Sequence, residues 1–141
     1  MFKIKILTVG KIKEEWLEQA LSEYEKRLFR SCKIEWVLTK DDQSLNLLCK
    51  KEPFFIALDS KGRSFTSETL STKLSQALEK QGSSLTFVIG GAEGIEANVI
   101  KKASDIWSLS PLTFTHQMTR FILLEQIYRA LEIQKGSKYH K

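Results

Sequence analysis

Along residues 2–9, Phe-Lys-Ile-Lys-Ile-Leu-Thr-Val, apolar and polar positions alternate and then turn continuously apolar before Gly10. That pattern predicts a strand whose later half is buried. The period then changes: Leu17, Ala20, Leu21, Tyr24 and Leu28 recur at helical spacing with Glu18, Glu23 and Lys26 between them, which predicts a helix from Glu14 to Phe29. β-Forming residues around Trp36 and Val37 predict a second strand over Lys33 to Leu38. A short helix follows between Lys40 and Glu52, capped by Asp41 or Asp42 and stopped before Pro53.

Phe54 to Leu58 is a short, wholly apolar run that empties into Asp59-Ser60-Lys61-Gly62, the profile of a buried parallel strand leaving the core through a turn. Thr66 or Ser67 caps the next helix, whose stripe is Leu70, Leu74, Ala77 and Leu78 and whose stop is Gly82. Leu85 to Ile89 forms another buried strand running into Gly90-Gly91-Ala92-Glu93-Gly94. A helix from Glu96 to Ala103, a short strand from Ile106 to Leu109 and an irregular turn through Ser110-Pro111-Leu112-Thr113 come next. The last helix runs from His116 to Gln134, with Phe121, Leu124, Tyr128 and Leu131 on one stripe, Met118, Ile122 and Ile127 widening it, and Gly136 ending it. Strands alternating with helices give an α/β fold: a mostly parallel sheet with helices on both faces, expected as one domain over residues 1–141.

An apolar fraction of 42% and a charged fraction of 28% are those of a folding globular chain. No apolar run reaches the roughly 18–20 residues of a membrane span, and residues 1–10 lack a signal-peptide pattern, so the expected location is the cytoplasm. Cys32 and Cys49 are the only cysteines, with no second pair and no neighbouring histidine to build a metal site. They read as reduced, core-packing thiols.

The net charge of +5 is uneven: residues 1–40 carry nine Lys or Arg against six Glu, and residues 116–141 carry five against two. A basic surface attracts polyanions, which makes nucleic acid a candidate partner alongside the simpler reading of a solvated charged surface.

In open parallel sheets ligands bind beyond the carboxyl ends of the strands, so the loops after Leu58, Ile89 and Leu109 are the candidate chemistry. Gly90-Gly91-x-x-Gly94 suits a sharp turn or a close approach of backbone to ligand. It is neither a Walker loop nor a dinucleotide fingerprint. Leu109 to Gln117 breaks two regular elements with hydroxyls, a proline and a histidine, which packing alone seldom requires. His116 is read as satisfying local hydrogen bonds at a helix start rather than as a base. Tyr139-His140-Lys141 brings together an aromatic, an ionisable ring and a cation, and on residues alone reads as a frayed terminus.

Taken together, Leu58-Asp59-x-x-Gly62, Phe87-Val88-Ile89-Gly90-Gly91-x-x-Gly94, Ser108-Leu109-Ser110-x-x-Thr113-Phe114-x-His116-Gln117, Glu125-Gln126-x-Tyr128-Arg129-Ala130 and Tyr139-His140-Lys141 give the chain its resemblance. In this order, across almost the whole chain, they resemble the ribosomal RNA large subunit pseudouridine N3-methyltransferases of the SPOUT class. Two departures stand out. Thr115 occupies a position where the family usually has proline, and the region from Lys40 to Pro53 is shorter than is typical.

The resemblance implies a C-terminal trefoil knot, which no periodicity argument would have produced. It implies S-adenosyl-L-methionine as methyl donor, with Leu58 lining one side, Gly90 and Gly91 letting backbone approach, and Leu109, Ser110, Pro111, Leu112, Thr113 and Phe114 enclosing adenine and ribose. It also implies a homodimer, with the apolar face of the last helix as its interface, and ribosomal RNA, presented on the ribosome, as substrate. The acceptor side, which needs a base or a stabiliser of the deprotonated ring, is expected to be formed by His140, supported by Tyr139, Arg129 and Lys141, reaching into the partner's cofactor site, with the proton taken by His140 or by water. A purely structural pairing of Arg129 with Glu125 or Glu132 competes with that role. Methylation of another RNA such as tRNA, ribosome binding without catalysis, and nucleotide-dependent regulation are the competing functions.

Overall fold

The computed structural model describes residues 1–141. In chain order its elements are β1 (Phe2–Val9), α1 (Glu15–Leu28), β2 (Cys32–Thr39), α2 (Asp42–Lys51), β3 (Ile56–Ser64), α3 (Ser67–Lys80), β4 (Ser84–Ile89), α4 (Ala97–Lys102), β5 (Asp105–Ser108) and α5 (His116–Lys135). The five strands form one sheet in the order β2-β1-β4-β3-β5, and every pairing is parallel. All carboxyl ends therefore share one edge.

The buried runs read from sequence sit at the sheet centre because both faces are covered. On one face Ile4, Ile6, Phe87 and Ile89 pack against Leu17 and Leu21 of α1, Leu74 and Leu78 of α3, and Leu124 and Ile127 of α5. On the other, Leu7, Ala57 and Val88 meet Leu45 and Cys49 of α2 and Val99 of α4. Cys32 and Cys49 are both free thiols in these two clusters.

Side-chain caps start three of the five helices, α2, α3 and α5, while α1 and α4 begin without one. The Asp41 carboxylate accepts from Ser44 N at 2.8 Å, Thr66 Oγ1 from Thr69 N at 3.1 Å, and Thr115 Oγ1 from Met118 N at 3.2 Å. Thr115, the position where the resembling family has proline, has φ −62°, which a proline ring also adopts. Gly136 closes α5 in the left-handed conformation at φ +71°.

Two expectations change. Asp59–Gly62 is not the end of its strand: pairing with β5 runs Leu58↔Trp107 and resumes at Arg63↔Trp107, so the intervening residues bulge out and β3 continues to Ser64. The bulge is pinned by Asp59 Oδ1, which accepts from Lys61 N at 2.8 Å, and Gly62 lies where a Cβ would meet Ile106 O at 2.6 Å. In α5 the buried stripe is Arg120, Leu123, Leu124, Ile127, Ala130 and Leu131. Phe121 and Tyr128 are half-buried instead, turned toward α1, where their rings meet Tyr24 edge-on at 5.6 and 5.8 Å.

Candidate functional site

Three loops at the carboxyl edge of the sheet close around a cleft of about 450 Å³. That volume lies within the range of small-molecule sites. The loop after β4 supplies Gly90, Gly91 and Gly94, the β3 bulge supplies Leu58, Asp59 and Ser60, and the segment between β5 and α5 supplies Leu109, Ser110, Leu112, Thr113 and Phe114. Of the nine residues assigned to a ligand from sequence, eight line this cleft. Pro111 does not: it is exposed and stands outside the lining. Ile89 and His116, which stood in the motifs without a ligand role, line it too, as do Ala92, Ile95, Thr115 and Thr119, which were assigned none. Their contribution is set by how the loops converge, which spacing does not encode.

The glycines serve the loop's own packing. A Cβ on Gly90 would sit 2.8 Å from Gly94 C and 2.9 Å from Ile95 N, and one on Gly91 would meet the Asp42 carboxylate at 2.4 Å. Gly94, at φ +76°, turns the chain back so that its N–H donates to Gly91 O at 2.9 Å. The β5–α5 segment is held differently. Ser108 Oγ donates to Ser110 O at 2.8 Å and Leu112 N donates to Ser110 Oγ at 3.0 Å, while no backbone group from Leu109 to Phe114 bonds another backbone group. A cleft with apolar walls, beside a segment whose backbone has no backbone partners, suits a ligand with flat apolar faces and polar edges.

At the cleft's base His116 does not serve the helix start as expected, because Thr115 does. Its Nδ1 is buried without a partner. Burial first, then the Arg120 and Lys13 charges, push the imidazole below its ordinary value, so it is neutral near pH 7. Arg120, fully buried, donates from Nη2 to Val9 O at 2.7 Å and Gly10 O at 2.8 Å, tying α5 to the end of β1. Gln117 Nε2 adds a bond to Lys11 O at 3.1 Å. No cluster of three or more His, Cys, Asp or Glu is arranged to hold a metal ion.

A second cluster forms around the C-terminal segment. Tyr139 OH donates to Glu125 Oε2 at 2.7 Å and lies 3.1 Å from Tyr24 OH, which leaves Tyr24 as the donor to it. Its phenol is pushed well above the ordinary value by burial and by the Glu125 and Tyr24 bonds, so it stays protonated and acts as a donor. Arg129 binds both Glu125 oxygens, at 2.8 and 3.3 Å, covers the Tyr139 ring at 4.9 Å, and reaches His140 Nδ1 at 3.0 Å. The structural pairing of Arg129 with Glu125 is thus present, and the same side chain contacts the two residues expected to act beside it. Tyr139, Arg129 and His140 are brought together, and none of them lines the cleft of its own chain.

The pattern of the family described as "Predicted SPOUT methyltransferase" matches residues 2–140. The chain belongs to the SPOUT methyltransferase family. The trefoil knot is a property that this family implies, since strand order by itself does not define one. A relative from Protochlamydia amoebophila, named "Ribosomal RNA large subunit methyltransferase H", is 53% identical over 141 residues, covering 100% of both chains. One of the same name from Streptococcus pyogenes is 38% identical, covering 99% of each. Among solved structures, a probable methylase family protein from Haemophilus influenzae shares the fold at TM-score 0.57 and 8% identity, over 98% of this chain and 70% of that one. A probable methyltransferase from Bordetella pertussis does so at TM-score 0.55 and 8% identity, over 92% and 96%.

Proposed function

We propose that this SPOUT methyltransferase is a single-domain, cytoplasmic homodimer that transfers a methyl group from S-adenosyl-L-methionine to N3 of a pseudouridine in 23S ribosomal RNA on the assembled ribosome. The observation that carries the reading is the full-length, 53% likeness to a relative named for methylation of large-subunit ribosomal RNA. No helix is long and apolar enough to cross a membrane.

The donor supplies a sulfonium-activated methyl group, so the chain's own work is to bind, orient and handle one proton. The cleft residues fit the donor: Leu58, Leu109, Leu112 and Phe114 offer apolar walls, the segment from Leu109 to Phe114 offers backbone without backbone partners, and the glycine turn closes the third side. Pro111, outside the lining, would shape the loop without touching the ligand. Pseudouridine N3 bears a proton and attacks only once it is lost, which calls for a base or a stabiliser of the deprotonated ring. His140, Tyr139 and Arg129 fill that role best.

Within one chain Arg129, which contacts both Tyr139 and His140, stands ten residues along α5 from Thr119, the last helix residue lining the cleft, about 15 Å of helix. A site composed of one protomer's cleft and its partner's C-terminal segment resolves the separation. Met118 and Ile122, half-buried on α5 and packed into neither core cluster, offer apolar surface for such a pairing.

The test is incubation with labelled S-adenosylmethionine and, separately, 70S ribosomes, free subunits and tRNA lacking the modification, followed by nucleoside mass spectrometry. Methylated pseudouridine from ribosomes alone is expected. Label in tRNA would move the activity to another RNA, and no label in any RNA would overturn the reading.

A further inference from the structure

Glu68, in the first turn of α3, appears in no motif and does not line the cleft, yet its Oε1 lies 2.8 Å from His140 Nε2. The other ring nitrogen, Nδ1, lies 3.0 Å from Arg129 Nη1. A guanidinium has only donors to offer. Nδ1 must therefore be the acceptor, which makes it the nitrogen without a proton, and the ring's hydrogen sits on Nε2 and points at a carboxylate.

We propose that Glu68 is a positioning residue for His140: it fixes the Nε2–H tautomer and aims the Nδ1 lone pair. The inference rests on the acceptor-side role proposed for His140 and adds the group that makes that role geometrically defined. Carboxylates behind an imidazole commonly set the tautomer and the orientation of the nitrogen that does the chemistry. Here the carboxylate comes from a different element, 72 residues earlier in the chain. Arg129 occupies the lone pair while the acceptor base is absent. When the acceptor arrives it displaces the Arg129 N–H from Nδ1, the N3–H bond breaks, its electron pair stays on N3, and the proton goes to the freed Nδ1 lone pair. The positive charge then formed on the ring faces Glu68 at hydrogen-bond distance.

The rest of the segment is held as firmly. Tyr139 is bonded to Glu125 and stacked edge-on against Tyr128 with ring centres 4.7 Å apart, so the backbone carrying His140 is anchored by its neighbour. What remains free is rotation of the imidazole, and Glu68 with Arg129 removes it. The side chain of Glu68 is 65% exposed, so its replacement leaves the core intact.

The experiment uses the full chain with E68A, E68D and H140Q. The tautomer of His140 is read by nitrogen-15 NMR in the absence of substrate, cofactor affinity by calorimetry with S-adenosylhomocysteine, and methylation on ribosomes. In the wild type, Nδ1 is expected in the unprotonated and Nε2 in the protonated shift range. E68A should give a tautomer mixture and a kcat lower by about tenfold to a hundredfold, the usual range for losing such a partner, with cofactor affinity unchanged. E68D should recover part of both. A wild-type ring in the opposite tautomer, or an E68A enzyme with unaltered spectrum and kcat, overturns the assignment of Glu68 even if H140Q is inactive. A fully active H140Q enzyme instead overturns the acceptor-side role itself, and the proposal with it.

Discussion

Alanine at Gly90 and at Gly91 should behave differently, although the two glycines are adjacent and line the same cleft. At Gly90 the new Cβ would lie 2.8 to 3.0 Å from three backbone atoms of Gly94 and Ile95. Backbone has no rotamer with which to move away, so the turn must open by several tenths of an ångström. Overpacking of this kind costs about 1–3 kcal/mol. For a chain of this length that is a fall in Tm of roughly 3–12 °C. At Gly91 the closest atom is the tip of the Asp42 carboxylate, a side chain able to rotate, with Val9 Cγ2 next at 3.2 Å. The penalty there should stay below about 1 kcal/mol. Because opening the turn displaces the cleft wall, G90A should also weaken S-adenosylhomocysteine binding by about tenfold or more, the equivalent of at least 1.4 kcal/mol. Differential scanning calorimetry and titration calorimetry on both variants decide it. If G91A is the more damaged protein, or if G90A melts and binds like the wild type, then these glycines are not there for backbone packing and the reasoning fails.

Three further outcomes follow from the geometry. Tyr139→Phe removes the hydroxyl that joins Tyr24 to Glu125 and should cost about 1 kcal/mol of stability in urea unfolding, with kcat reduced and cofactor affinity preserved. Both thiols are buried, and burial pushes Cys32 up to about 12 and Cys49 up to about 11, so neither should react with a disulfide reagent at pH 8 until denaturant is added. Burial works to raise the Asp105 carboxyl, but the Trp107 indole and the Arg63 guanidinium outweigh it and hold the group below its ordinary value. Its contribution is therefore fully present above the unfolded carboxylate value near 4 and is lost as pH falls through the folded value. Asp105→Asn should flatten the loss of urea midpoint between about pH 5 and pH 2.

Much of this protein is legible in one dimension, because its elements obey local rules. Periodicity places five strands and five helices, and the caps read from sequence at Asp41 and Thr66 hold for α2 and α3, as Thr115 does for α5. The three loops were legible for the same reason, since loops at the carboxyl edge of a parallel sheet converge wherever the strands are put in register, and of the nine residues that the family resemblance assigned to a ligand eight line the one cleft. Pro111 was not, since a position within a loop does not say which way a side chain leaves it. Nor was Asp59–Gly62, where a turn-forming sequence bulges out of a strand that β5 re-engages at Arg63.

The hardest feature to read was Arg120, a cation placed inside an apolar stripe. Periodicity assigns such a residue to solvent, yet it is fully buried, because the carbonyls of Val9, the last residue of β1, and of Gly10 just beyond it need donors where the strand has run out of partners. The guanidinium supplies them from Nη2 and leaves its Nε and Nη1 unpaired. The remaining buried, unpartnered side-chain atoms belong to Thr8, Asp42, His116 and Gln117, all at the carboxyl end of β1 or in the first turn of α2 or α5. Each such group costs about 1–3 kcal/mol unless water or ligand meets it. Arg120 reaches the same end of β1, so the unpartnered side-chain atoms gather at the carboxyl edge of the sheet, the edge that bears the cleft, where an incoming polar group has donors and acceptors to meet.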